Sequence, residues 1–87
     1  MDQVYQKNVV EVWQAGPNNT FEGQWLVAVR EFEAPVADGR KTKSWKSTRY
    51  YGIGAFDTQP EAVASALGFQ RQASGDCTIK YLSSNAQ

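Results

Sequence analysis

Arg40, Lys41, Lys43, Lys46 and Arg49 fall within ten residues with no acid among them. Trp45 lies inside the run, and Tyr50 and Tyr51 follow it directly. Cations spaced along a chain can track phosphates, and flat rings beside them can stack on bases or anchor a protein partner. The chain as a whole is neutral, with nine Lys/Arg and nine Asp/Glu. The rest of the sequence is therefore acidic. A local basic patch, not the total charge, is what steers an anionic partner. The same lysines have a plainer use on an edge strand, where they discourage sheet-to-sheet aggregation.

Other chemistry is missing from the composition. There is no His, which removes the usual general base and the commonest metal ligand. One cysteine, Cys77, cannot form an internal disulfide or a Cys–His pair, and at the head of an apolar segment it reads as a small core residue. Asp and Glu are scattered without paired spacing. Gly52-Ile53-Gly54 has the beginning of a phosphate loop, but Asp57 stands where a further glycine would be expected, and an acid there repels the anion. These residues imply no catalysis, no cofactor and no metal.

The positioning elements follow from local pattern. Tyr5–Gln14 and about Gly23–Glu33 are rich in β-branched and aromatic residues, as strands are. Ala15-Gly16-Pro17-Asn18-Asn19 joins them with turn chemistry; Asn18-Asn19-Thr20 also fits a glycosylation sequon and is read as part of that turn. Ala34–Gly39 breaks the second strand, with Asp38-Gly39 as a turn pair. A third strand runs from about Ser44 to Phe56, where Gly52 and Gly54 predict a bulge or a close backbone approach. Thr58 and Glu61 form a capping box with Pro60 in the first turn. The stripe Ala62, Ala66, Phe69 and Ala73 continues the helix past Gly68 to about Gln72. A last strand, Cys77–Leu82, precedes a polar tail, 83–87, expected to fray.

The expected architecture is α+β: an antiparallel sheet in β-β-β-α-β order, with one amphipathic helix packed on one face. At 87 residues this is one small domain with an ordered core over about 4–82. Three Trp, four Tyr and four Phe are expected to enlarge that small core. Pairing Trp13 opposite Trp25 places Val9 against Val29 and Lys7 against Glu31. Val10, Val12, Leu26, Ala28 and Phe32, with Arg30 as the one charge, then lie under the helix. The open face holds Tyr5, Lys7, Val9, Glu11 and Trp13 with Trp25, Val27, Val29, Glu31 and Glu33. No basic region leads into an apolar run at the N-terminus, and no stretch nears the roughly 20 apolar residues of a membrane span, so a cytoplasmic protein is expected.

Gln24–Val29, Asp38–Lys43 and Ala55–Ala62 together resemble, at pattern level and over about half of the chain, the AP2-like three-strand-plus-helix DNA-binding domains of phage and transposon integrases. In that family the open sheet face enters the major groove. The resemblance implies contacts from Trp25, Val27 and Lys43. The acids on the expected open face, with the neutral chain, favour a different function. On that reading the protein is a small non-catalytic interaction or regulatory module of phage or mobile-element type. It would bind a protein, or itself, through a surface of mixed charge and aromatic residues. The candidate contacts are Arg40, Lys41, Lys43, Trp45, Lys46, Arg49, Tyr50, Tyr51, Trp13 and Trp25. Nucleic-acid binding through segment 40–51 is the alternative.

Overall fold

The computed structural model describes residues 4–37, 40–41, 45–73 and 75–82; for residues 4, 35–37, 40 and 41 only the backbone is described. The elements are β1 (Val4–Gln14), β2 (Trp25–Ala37), β3 (Arg40–Lys41), β4 (Lys46–Phe56), α1 (Gln59–Gln72) and β5 (Asp76–Tyr81). The α+β class with one helix is as expected. The sheet, however, is mixed. Its main body has the order β4-β2-β1-β5; β2 is antiparallel to β1 and β4, and β5 is parallel to β1. β5 runs parallel because α1 carries the chain from one edge of the sheet to the other, and a helical crossover returns the chain in the same direction. The two-residue β3, paired with Val36 and Ala37, is an element that the strand count left out. β2 also runs through Pro35 to Ala37, beyond its expected end at Glu33. The expected turn at Asp38-Gly39 and the tail 83–87 lie outside the described residues.

The register of the first hairpin differs by one residue from the expected one. Trp25 opposes Gln14, Leu26 opposes Trp13, Val27 opposes Val12 and Val29 opposes Val10. Because side chains alternate, a one-residue slip moves a whole strand set to the other face. The β1 half of the expectation survives: Val10 and Val12 are buried. The β2 half is inverted, with Trp25, Val27 and Val29 on the helix side and Leu26, Ala28, Arg30 and Phe32 on the open side. The cause lies in the connection. The Ala15 amide donates to the Gln24 carbonyl (2.9 Å), and the Gly23 amide donates to the Ala15 carbonyl (3.1 Å). Positive φ at Asn18 (69°) and Gly23 (84°) lets the loop close in this parity.

On the helix side, Val10, Val12, Val27 and Val29 meet Ala62 and Ala66. Trp25, Tyr51, Phe56, Phe69, Cys77 and Ile79 pack around them, half-buried. The alanines let α1 approach the valine rows closely. Among the described residues no side chain larger than valine is fully enclosed, and none of the eleven aromatic residues is buried. The expectation that aromatics enlarge the core is therefore corrected: they ring it and spread over the other face.

The helix entry is built as its sequence requires. The Glu61 amide donates to Thr58 Oγ1 (3.4 Å), and the Thr58 amide donates to a Glu61 carboxylate oxygen (3.2 Å). The helix passes Gly68 and ends at Gln72, where the Ala73 amide donates to the Phe69 carbonyl. Gln70 Nε2 donates to the Cys77 carbonyl (2.9 Å) and ties the helix to β5. No helix among the described residues is long and apolar enough to cross a membrane.

Candidate functional site

Fourteen helical residues span about 21 Å, whereas eleven-residue strands span about 37 Å. α1 lies on one face of the sheet, and among the described residues no second helix lies on the other. That other face is the candidate surface. β1 contributes Lys7, Glu11 and Trp13 to it, β2 contributes Leu26, Ala28, Arg30 and Phe32, and Tyr50 is paired with Arg30. On β5, Thr78 and Lys80 share it through their pairing with Val9 and Glu11.

Two regions divide this face. Toward the β1–β2 loop is an open apolar depression of about 400 Å³ whose walls include Trp13, Phe21, Leu26, Tyr50 and Ile53. It exists because β4 bulges there. The register against β2 shifts between Val27 and Ala28, so Gly54 opposes Val27, Gly52 opposes Ala28, and Ile53 is left over. Gly52 has no side chain to fill the space, and a Cβ built on it would meet no atom within 4 Å. The expected irregularity at Gly52 and Gly54 is thus present. It sits inside an edge strand, away from the N-terminus of α1.

The second region carries cations over rings. The Arg30 guanidinium lies 4.2 Å from the Tyr50 ring centre, and its Nε is 3.6 Å from a Glu11 carboxylate oxygen. Lys7 Nζ lies 4.3 Å from the Trp45 ring and 5.5 Å from Phe32. A cation over an aromatic face is attracted by the ring quadrupole, so these pairs fix ring orientation as well as holding charge.

The sequence-predicted contacts separate onto two faces. Trp13 and Tyr50 line the depression, and Trp45 joins the cation region. Trp25 and Tyr51 pack against the core on the helix side, with Arg49 stacked on Tyr51 at 4.4 Å. Lys46 opposes Glu33 and Arg49 opposes Glu31 across β2 and β4. Two cations of the basic run and two of the expected open-face acids are therefore cross-strand neighbours on the helix side of the sheet. Trp25 and Val27, implied as base contacts by the integrase-domain resemblance, face the helix. Arg40 and Lys41 form β3, with side chains outside the description, and Lys43 lies outside the described residues. Sequence reasoning put Lys7 on the open face, as found, without naming it as a contact, and missed Phe21, Leu26, Arg30, Phe32 and Ile53. One signal pointed to them: the expected register buried Arg30, a charge without a stated partner.

Cys77 is partly covered on β5, and burial raises the pKa of its thiol. Its neutral form is favoured, which suits packing better than nucleophilic chemistry. Among the described residues no group of three or more Cys, Asp or Glu is placed to hold a metal ion. Comparison with family models, with curated proteins and with solved structures finds no match for the chain.

Proposed function

We propose that this chain is a small non-catalytic interaction module whose uncovered sheet face binds protein. The observation that carries the reading is the apolar depression at Trp13, Phe21, Leu26 and Ile53, next to ring-stacked Arg30 and Lys7. Protein interfaces draw most of their binding energy from Trp, Tyr and Arg grouped around a desolvated centre, with a polar rim. The test is affinity capture with the tagged chain and with Trp13→Ala and Ile53→Lys. A partner that is retained by the wild type and lost by both variants supports the reading. Retention unaffected by either variant removes it.

One observation favours nucleic acid as a second reading. With Glu31 and Glu33 on the helix side, the described open face carries Lys7, Arg30 and Lys80 against Glu11 and Asp76. This balance is more favourable to phosphates than the sequence suggested. Yet Tyr50 and Trp45, the rings best placed for bases, already lie against cations. Affinity for single- or double-stranded DNA or RNA that falls steeply with salt, and falls further in Lys7→Glu, would establish this alternative. No retardation at low salt would discard it.

A further inference from the structure

We infer that the open sheet face is covered by a second copy of this chain, giving a dimer with two sheets face to face and the helices outside. The inference rests on the reading of this face as a protein-binding surface and names its occupant.

Three observations support it. The first is the thinness of the core. Among the described residues the fully enclosed side chains are valines and alanines, and every aromatic residue keeps solvent contact. A domain of this size gains little stability from such a core, and small chains that cannot build a sufficient one commonly rely on association. A sheet with apolar side chains on both faces needs a layer on each, and α1 supplies only one. A second copy is the partner always present at the chain's own concentration.

The second observation is area. Strands about 4.8 Å apart, three of them eleven residues or longer and β5 with six, present roughly 600–700 Å² per face. Two such faces bury about 1,300 Å², within the range of stable specific interfaces. Side chains from facing sheets interdigitate at about 10 Å separation, which the bulky Trp13, Phe21 and Leu26 can fill.

The third is the distribution of polarity. The apolar depression lies among Trp13, Phe21, Tyr50 and Ile53, while the charges Lys7, Asp76 and Lys80 belong to the other end or to the β5 edge. Arg30 and Glu11 compensate each other at 3.6 Å, so the charge between the two regions is already paired. The face is thus polarised, apolar toward the β1–β2 loop and charged toward the opposite end, and a two-fold axis near the apolar end lets the depressions of two copies meet. The two sheet edges suit such contact less well. β4 is broken by two register shifts and carries Lys46 and Arg49, and β5 has only six residues.

Sedimentation equilibrium over about a hundred-fold range of concentration tests the inference. The wild type is expected at twice the chain mass of 9.7 kDa, with a melting temperature that rises with concentration. The double variant Phe21→Glu/Ile53→Lys changes two side chains that are 46% and 37% exposed in the single chain, so it should fold and sediment as a monomer. Gly52→Leu fills the depression where a Cβ meets no neighbour. It should stay folded by circular dichroism and weaken the dimer about tenfold or more. A wild type that is monomeric throughout overturns the inference, while the capture experiment still decides the wider reading. A dimer indifferent to all three substitutions also overturns it. If partner capture is equally indifferent, the protein-binding role of this face falls too.

Discussion

The two faces of the sheet use opposite materials. Under α1 are valines and alanines: small, uncharged and enclosed. On the other side are tryptophan, phenylalanine, tyrosine, lysine and arginine, large and partly wet. A close-packed layer has no room for an uncompensated charge or an extra methylene, whereas an uncovered layer tolerates both. The difference teaches that aromatic content is no measure of core here. Trp25, Tyr51, Phe56 and Phe69 border the core half-buried, Trp13, Phe32 and Tyr50 lie where contact with another molecule would use them, and the enclosed residues are of modest size.

Substitution should break this contrast most sharply at its extremes. Val29→Asp buries an unpaired charge between β1, β2 and β4, and a loss of about 3–5 kcal/mol should abolish cooperative unfolding in a domain this small. Ile53→Lys, a comparable chemical change on the opposite face, should shift a denaturation midpoint by no more than about 0.5 kcal/mol at concentrations where the chain is monomeric. Equal damage from the two would erase the distinction between the faces.

Ala66→Leu adds bulk where the helix meets the valine rows and should cost about 1–3 kcal/mol by urea unfolding. If α1 is instead loosely seated, the same change will be neutral. Thr58→Ala removes the N-cap acceptor and should cost about 1 kcal/mol. Gly68→Ala should raise stability by about 0.5–1 kcal/mol, because the position is helical and the added methyl meets no atom within 4 Å. The smallest effect is chemical. The raised pKa and partial cover of Cys77 should make it react more slowly with iodoacetamide at neutral pH in the folded chain than in urea. As an acid whose folded pKa is raised, it contributes stability below its unfolded pKa and loses it as pH rises through the folded value.

What the sequence disclosed follows from how local each signal is. Thr58, Pro60 and Glu61 act within one turn, so the helix start could be read from three residues, and the stripe from Ala62 to Ala73 carried it past Gly68 to Gln72. The bulge at Gly52 and Gly54 was legible for the same reason. The hairpin register was not. It turns on the parity of a loop held by Ala15, Gly23 and Gln24, and moving one pair reverses the meaning of Trp25, Leu26, Val27 and Arg30 together. The direction of β5 was beyond local reading as well, since it depends on which edge α1 reaches. Of the candidate site, Trp13, Trp45 and Tyr50 were named in advance. Lys7 and Arg30, isolated in sequence, become a pair of ring-stacked cations only once the strands are aligned.

The parallel seam between β1 and β5 also bears on synthesis. An N-terminal hairpin of β1 and β2 can form as it leaves the ribosome, but the outer edge of β1 from Lys7 to Val12 has no partner until Asp76–Tyr81 has emerged. The sheet therefore cannot be completed vectorially, and a nascent or stalled chain presents an unpaired edge beside uncovered valines. Emergence of β5 closes that edge, so until these six residues have left the ribosome the nascent chain keeps an edge open to aggregation.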